Sequence, residues 1–271
     1  LLWANAVPGP ARDPRRVAID GGDNVYVAGR MWLTNPSGNT TPDSVLIKYS
    51  PGGATLWTAA FDNNSAADEP NSLAISPDST RVGIAAISGN LFMALMYDRD
   101  GHRLWAKTNS SVYQANDLAF GPGNVSYFGA GTYFPQDPNP YQMAIVKFDA
   151  AGNQSWIRSY GVGDRTLRLR VDGQGNVVAT GIDAAAYYTD WITIKTDANG
   201  NLSWSRKYDG GSNNHETPDM LVLDAAGAVY VTGTGGPFPS SGTVSYLKGV
   251  VAKYGSDGTP RWAAWDPDQA V

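Results

Sequence analysis

Short apolar runs and turn residues alternate along the whole chain, and one order of runs and turns recurs five times. Each repeat contains two apolar runs joined by a tight turn, a longer link, a third run, a second tight turn and a closing run that carries Trp. The runs are short and lack helical spacing, so they predict β-strands, four to a repeat. A period of about fifty residues built from such strands predicts an all-β fold of small radial sheets, a β-propeller.

A tryptophan marks the closing strand of each repeat. The markers are spaced by 54, 48, 51, 48 and 58 residues, at Trp3, Trp57, Trp105, Trp156, Trp204 and Trp262. Neighbouring blades of a propeller diverge away from the axis, and a large ring fills the gap between them. We therefore expect the four central markers to be largely buried.

The repeats predict one propeller domain over residues 1–271, with five complete four-stranded blades. The repeats span approximately 17–61, 73–109, 118–160, 169–208 and 221–265. Residues 1–7 match a closing strand that has no blade of its own. Three arrangements remain open: a closed five-blade ring with an extra outer strand, part of a larger ring, or pairing of 1–7 with another copy, since an unpaired strand edge is a template for association.

The tight turns follow one pattern, Asp at the first position and Gly at the fourth, as in 98–101, 149–152 and 197–200. Asp caps backbone N–H groups and Gly accepts the left-handed conformation, so we interpret these segments as turns. A calcium loop needs further oxygen ligands and a terminal Glu. A lysine recurs at one place in the third strand, where the second repeat has Met96, which indicates a packing role.

The fourth repeat contains DWITIKTDANGNLSW (190–204), and the fifth begins its second strand with VYVTG (229–233). These segments resemble the SBBP-type β-propeller repeat of bacterial extracellular proteins. All five repeats match that pattern, the second least well. The resemblance implies a secreted or surface-displayed propeller, and it brings no catalytic residues with it.

Composition narrows the function classes. The formal net charge of −5 offers no basic stripe, so we expect no nucleic-acid partner. The absence of Cys excludes disulfides, thiolate metal sites and cysteine nucleophiles. No apolar run is long enough to span a bilayer. The chain opens with Leu1, so we expect a processed protein or a fragment, located outside the cell or at its surface.

Alternating strand directions place the tight turns on one face of the propeller and the irregular links on the other. The links are 30–43, 130–141, 182–190 and 234–247 within repeats, and 62–72, 109–117, 161–168 and 209–220 between them. Variable loops on a rigid scaffold are where binding residues concentrate. We call this face the loop face and predict the functional site there.

Aromatic and Arg side chains on the loop face are the candidate ligand-binding residues. They are Trp32, Tyr133, Phe134, Tyr187, Tyr188, Arg16 and Arg168. Exposed rings suit a protein or a sugar partner, and paired guanidinium groups suit an anion. Two other interpretations remain open: the rings fold their loops onto the blades, and the arginines form salt bridges with Asp117 and Asp219.

Catalytic chemistry has few candidates. His102 lies in a tight turn, and His215 stands beside Glu216 without a metal triad or a nucleophile. The sequence therefore predicts no catalytic residue, no metal ligand and no cofactor. It favours a non-catalytic binding or assembly module for a protein or glycan partner, with possible self-association through residues 1–7. The alternative is a hydrolase or lyase that acts on a polysaccharide or small ester through loop carboxylates such as Glu69 and Glu216.

Overall fold

The fold was taken from a computed structural model. It describes residues 3–4, 12–34, 38–63, 66–184, 189–210, 215–235 and 248–265. Nineteen strands and one 3-10 turn (Pro122–Asn124) make up the regular structure, and the described residues contain no α-helix. The all-β prediction is confirmed.

Three sheets have four antiparallel strands in sequence order, as predicted for single repeats. The first contains β1 (Arg12–Ile19), β2 (Val25–Thr34), β3 (Thr40–Tyr49) and β4 (Thr55–Phe61). The next contains β12 (Arg165–Val171), β13 (Val177–Asp183), β14 (Asp190–Thr196) and β15 (Leu202–Tyr208). The last contains β16 (Thr217–Leu223), β17 (Val229–Gly235), β18 (Lys248–Tyr254) and β19 (Pro260–Trp265).

The second and third repeats share one seven-stranded sheet in the order β11-β10-β9-β8-β7-β6-β5. Its strands are β5 (Asp68–Ile75), β6 (Arg81–Ser88), β7 (Leu91–Asp98), β8 (Arg103–Phe120), β9 (Ser126–Tyr133), β10 (Tyr141–Phe148) and β11 (Gln154–Ser159). The prediction of an irregular link at 109–117 is wrong, because β8 runs through it as one 18-residue strand. None of the four sheets closes on itself, and the sheets do not establish the count of five blades.

The chain divides into two compact bodies. The first body is Leu1–Phe128 with Phe148–Gln154, and the second is Gly129–Lys147 with Ser155–Val271. In the first body, Tyr26, Leu46, Ile84 and Leu95 belong to one buried cluster between the first two repeats. In the second body, the last two repeats form a similar cluster around the fully buried Trp191.

Five of the six marker tryptophans, all except Trp262, pack on the second tight turn of the following repeat. Each ring occupies the space that a Cβ would need at the left-handed Gly of that turn, as Trp57 does at Gly101 and Trp204 does at Gly258. The indole nitrogen donates to the carbonyl two residues earlier in the same turn, 3.1 Å from Arg99 O for Trp57 and 3.2 Å from Ser256 O for Trp204. We call this contact the Trp–turn contact.

The recurring lysines strengthen the Trp–turn contact. Lys48 Nζ donates to Arg99 O at 3.0 Å and Lys195 Nζ donates to Ser256 O at 3.3 Å, the same carbonyls that the indoles use. In the second repeat Met96 replaces the lysine. There the indole nitrogen of Trp105 is buried without a hydrogen-bond partner among the described residues.

The marker tryptophans differ in how far they are buried. Trp105 and Trp204 are buried, as expected, and Trp57 and Trp156 are partly buried. Trp3 makes the same contact toward the first repeat, with its indole nitrogen 3.0 Å from Pro51 O. Trp3 and Ala4 are not in a strand, and the rest of the predicted strand at 1–7 lies outside the described residues.

The tight turns confirm the interpretation of their Asp residues. Asp98 Oδ1 accepts from the backbone nitrogens of Asp100 and His102, both at 2.9 Å, and Gly101 has φ 91°. His102 Nδ1 lies 2.9 Å from Asp98 Oδ2, which makes this histidine part of the turn. The same capping recurs at Asp149, Asp172, Asp197 and Asp224.

The first and last sheets expose positions that are buried in the repeats between them. Val17, opposite Val27 in the ladder, is 67% exposed, whereas Leu169 at the corresponding position of the fourth repeat is fully buried. Trp262 is 48% exposed, whereas Trp204 is 8% exposed. Apolar side chains that pack against an adjacent sheet in the inner repeats are therefore solvent-accessible in the first and last sheets.

The Trp–turn contact predicts a large loss of stability for Trp204→Ala. Removing the buried ring leaves a cavity over Gly258 and removes one of the two hydrogen bonds to Ser256 O, so we expect a loss of about 3–5 kcal/mol in the free energy of unfolding. Leu202→Ala, at an exposed position of the same strand, is the control and is expected to cost under about 1 kcal/mol. Urea denaturation measures both; equal losses would contradict the contact.

A second prediction separates backbone strain from the ring contact. Gly258 (φ 79°) and Gly123 (φ 69°) both have left-handed backbones, but a Cβ would lie 2.6 Å from Trp204 Cδ2 at Gly258 and in open space at Gly123. Gly123→Ala is expected to cost about 1–2 kcal/mol from strain alone. Gly258→Ala is expected to cost about 1–3 kcal/mol more from overpacking. Similar chemical denaturation curves for both variants would refute the difference.

Candidate functional site

The β9–β10 hairpin carries three exposed rings of the loop face. Tyr133, Phe134 and Tyr141 are 52%, 45% and 48% exposed. The rings of Tyr133 and Tyr141 are adjacent, with centroids 4.8 Å apart and planes at 38°. Two of these residues were predicted site residues, and the structure adds Tyr141. We call these three residues the aromatic hairpin.

Hydrogen bonds fix the loop between the rings. Phe134 N donates to Pro140 O at 2.7 Å, and Asp137 N donates to Phe134 O at 3.0 Å. The buried Gln142 donates its amide to Asp137 Oδ2 at 3.1 Å. The hairpin is therefore ordered before any partner arrives.

The other predicted aromatic residues are not all described. Trp32 lies at the end of β2, opposite Pro42, and is 37% exposed. The guanidinium of Arg30 stacks over its ring at 5.7 Å, a cation–π contact that covers one face. Tyr187 and Tyr188 lie outside the described residues.

The predicted arginines hydrogen-bond to backbone carbonyls. Arg16 donates its Nε to Asn71 O and its Nη1 to Arg15 O. Arg168 donates to Leu167 O at 2.8 Å. Arg16 belongs to the first body and Arg168 to the second.

Asp117, one of the expected arginine partners, is buried and accepts from Ser72 Oγ at 2.6 Å. Its environment is that of a packed strand residue. The arginines of the first repeat form their salt bridges with other acids, Asp13 and Glu69.

A four-membered ionic network joins the first two repeats. Arg30 bridges Asp13 and Glu69, both at 2.8 Å, and Arg15 bridges the same two acids at 3.2 Å. Hydrogen bonds from Arg30 first, and then from Arg15, lower the pKa of Asp13. Glu69 therefore serves as an ion-pair partner at this position.

Glu216 is enclosed by the protein and hydrogen-bonded to the backbone. Its side chain is fully buried, and its Oε1 accepts from Gly210 N at 2.8 Å. Glu216 is thus enclosed by the protein, whereas the side chain of Glu69 is 36% exposed and is held by Arg15 and Arg30.

A polar pocket lies on the tight-turn face, where no site was predicted. Its lining includes Asp172, Asn176, Lys195, Asp224 and Ser256. Asp172 and Asp224 cap their own turns, and Lys195 donates to Ser256 O. The polar groups of the pocket thus satisfy one another.

Three carboxylates meet at the loop end of the first sheet. Asp43 lies in β3, one residue before the part that pairs with β4, Asp62 follows β4, and Asp68 begins β5. One carboxylate oxygen of each lies within 4.8 Å of the others. A second group with the same spacing contains Asp190, Asp209 and Glu216. We call them the repeat-1 and repeat-4 acid clusters.

Burial sets the protonation chemistry of the repeat-1 acid cluster. Asp43 and Asp68 are fully buried. Burial, followed by the charges of Asp62 and Asp68, raises the pKa of Asp43 to about 6. Burial is also the largest influence on Asp68 and raises its pKa. Charged carboxylates at this position are therefore costly in the folded protein.

The sequence analysis missed both acid clusters. Their members are distant in the chain and separated by strands, so local motifs do not reveal them. The signal was in the repeat: Asp43 and Asp62 precede and follow the third and fourth strands at the same offsets as Asp190 and Asp209. Aligning acids between repeats, rather than searching for short motifs, finds the correspondence.

The fold is similar to those of solved structures at low sequence identity. The Kuenenia stuttgartiensis hydrazine synthase structure matches with a TM-score of 0.66 and 12% identity, covering 98% of this chain and 70% of that one. A Dos1 propeller matches with a TM-score of 0.56 and 12% identity, covering 96% and 74%. A Lactobacillus plantarum protein matches with a TM-score of 0.56 and 13% identity, covering 93% and 84%.

These similarities show a propeller-like fold and do not specify a function. No protein-family model matches the sequence, and no curated protein sequence matches it. Among the described residues there is no helix with the length and hydropathy needed to cross a bilayer.

The raised pKa of Asp43 predicts a pH effect in metal-free buffer with a chelator. Its folded pKa of about 6 lies above the ordinary Asp pKa of 3.8, so the folded state binds the proton more tightly than the unfolded chain does. The stability of the wild type should therefore fall, relative to Asp43→Asn, as the pH rises from about 4 to above 6. Chemical denaturation at several pH values measures this; parallel profiles would contradict it.

Proposed function

We propose that this protein is a non-catalytic β-propeller module that binds a protein or glycan partner through its loop face. The propeller-like fold supplies a stiff support, and the Trp–turn contacts hold successive repeats in register. Binding residues on such folds sit on the loops that the scaffold presents. The proposal includes five blades, membership of the SBBP-type repeat family and a place outside the cell or at its surface.

The observation that carries the proposal is the aromatic hairpin. Tyr133, Phe134 and Tyr141 together expose nearly half of each side chain on one short, hydrogen-bonded loop. Apolar ring surface in water is unfavourable, and its removal by a partner contributes about 25 cal/mol per Å². Two of the three rings also have a hydroxyl that hydrogen-bonds at a wet interface.

Pre-organisation favours binding by this hairpin. The loop hydrogen bonds and the contact between Tyr133 and Tyr141 exist without a partner. Binding then costs little further ordering of side chains or backbone. Flat rings held in this way suit the C–H face of a sugar or an apolar patch of a protein.

Other loop-face residues have secondary roles in this proposal. Trp32, with Arg30 over its ring, extends the aromatic surface in the first body. Tyr187 and Tyr188 remain predicted members. Arg16 and Arg168 remain predicted anion-binding residues, although each donates hydrogen bonds to neighbouring carbonyls.

Self-association through residues 1–7 remains part of the proposal. Trp3 supports it, because its ring and indole nitrogen engage the first repeat just as a marker tryptophan engages the next repeat. We propose that residues 1–7 pair with the sheet edge of a second copy, since an unpaired strand edge is a template for association.

A glycan array and a protein array, both probed with the purified chain, test the proposal. We expect ligands that bind wild type and lose at least about tenfold in affinity in the triple variant Tyr133→Ala, Phe134→Ala, Tyr141→Ala, because hot-spot aromatics contribute about 1.4 kcal/mol or more together. Leu104→Ala, an exposed apolar position on β8, is the control and should bind normally. Unchanged binding by the triple variant would exclude the aromatic hairpin as the site.

A further inference from the structure

The repeat-1 acid cluster brings three carboxylates together, and two of them are fully buried. Among the described residues, neither Asp43 nor Asp68 forms a salt bridge. Asp43 receives long hydrogen bonds of 3.3 Å from Thr41 Oγ1. Asp68 Oδ2 accepts from Asn63 N at 2.7 Å.

One carboxylate oxygen of this cluster is buried and has no hydrogen-bond donor among the described residues. Asp68 is fully buried, and its Oδ1 has no hydrogen-bond partner among the described residues. Buried carboxylate oxygens are normally paired with a donor, a cation or a metal. Asp68 Oδ1, beside two further carboxylates, is therefore able to accept a cation.

In the repeat-4 acid cluster, which has the same arrangement of acids, a lysine of the chain supplies a positive charge. Asp190, Asp209 and Glu216 occupy the corresponding places, and Lys207 Nζ lies 2.5 Å from Asp190 Oδ2. The hydrogen bond with Asp190 is the main cause that raises the pKa of Lys207. The fourth repeat therefore supplies its own cation.

The first repeat lacks that lysine. Lys207 is paired with Ile192 across the β14–β15 ladder, and Ala60 is paired with Val45 at the corresponding place in the β3–β4 ladder. A methyl group thus replaces the ammonium while the acids remain. Loss of the cation with retention of three acids would destabilise the fold unless another positive charge occupies the site.

We propose that Asp43, Asp62 and Asp68 bind a calcium ion, which takes the place that Lys207 fills in the fourth repeat. The ligands are all carboxylate oxygens, which hard divalent cations prefer and which offer nothing to a soft metal. Mg²⁺ retains several waters, whereas Ca²⁺ accepts flexible, mostly protein coordination. Two fully buried ligands leave little room for retained water, which favours Ca²⁺.

The bound ion would connect the first two repeats. Asp43 and Asp62 flank the last two strands of the first sheet, whereas Asp68 begins β5 of the next sheet. Calcium binding therefore stabilises the link between repeats as well as the acids. This inference is independent of the partner proposed for the aromatic hairpin.

Thermal unfolding of the full chain, stripped with chelator and held at pH 7.5, tests the site directly. Calcium at about 100 times its Kd should raise the Tm by about 5 °C, because the ion binds the folded state. Titration calorimetry should detect calcium binding. The absence of a calcium-dependent shift, or a larger shift with Mg²⁺ than with Ca²⁺, would overturn the proposal.

Ala60→Lys is the sharpest variant, because it gives the first repeat the lysine of the fourth. We expect it to raise the Tm of the chelated protein and to abolish the calcium-dependent shift. Thr58→Lys adds the same charge at an exposed position one pleat away and should keep the shift of wild type. Equal calcium responses in the two lysine variants would refute the assignment.

Asp68→Asn supplies an independent check that removes a ligand without adding a charge. It should remain folded in chelator and lose the calcium-dependent rise in Tm. Retention of the full wild-type shift by Asp68→Asn would contradict the site. Calorimetry on the same variant should show the loss of one binding site.

Discussion

The Trp–turn contact is the constraint on which the rest of the structure depends. A ring from one repeat fills the space above a left-handed Gly in the next, and its indole nitrogen reaches a carbonyl of the same turn, as Trp57 does at Gly101 and Arg99. The contact needs the ring, the missing Cβ and the turn geometry at once. It therefore fixes the register between consecutive sheets more tightly than apolar burial alone, which is non-directional.

This constraint explains the difference between the two ends of the strands. The tight turns are occupied by rings, Lys side chains and Asp caps, and even the polar pocket beside Asp172 is lined by groups that satisfy each other. Among the links that the structure describes in full, those at the opposite ends vary in length, from the turn at Gly89 to the seven-residue loop that supports the aromatic hairpin. Rigidity on one face leaves the other free to change.

Charge is balanced locally in most of the chain. Arg30 and Arg15 share Asp13 and Glu69, and Lys207 neutralises the repeat-4 acid cluster. The repeat-1 acid cluster differs because Ala60 stands where the fourth repeat has its lysine. Corresponding positions of the two repeats thus carry the same group of acids, with a lysine beside them in the fourth repeat and an alanine in the first.

The sequence by itself determined the strand order within each repeat, the turns and the positions of the marker tryptophans, because each follows from local spacing and from residues with one steric solution, such as Gly101. It also located Tyr133 and Phe134 on a loop. Only the tertiary structure decided that β8 continues through 109–117, that Glu69 pairs with two arginines, and that Asp43, Asp62 and Asp68 meet. These depend on distances between residues far apart in the chain, which strand periodicity does not encode.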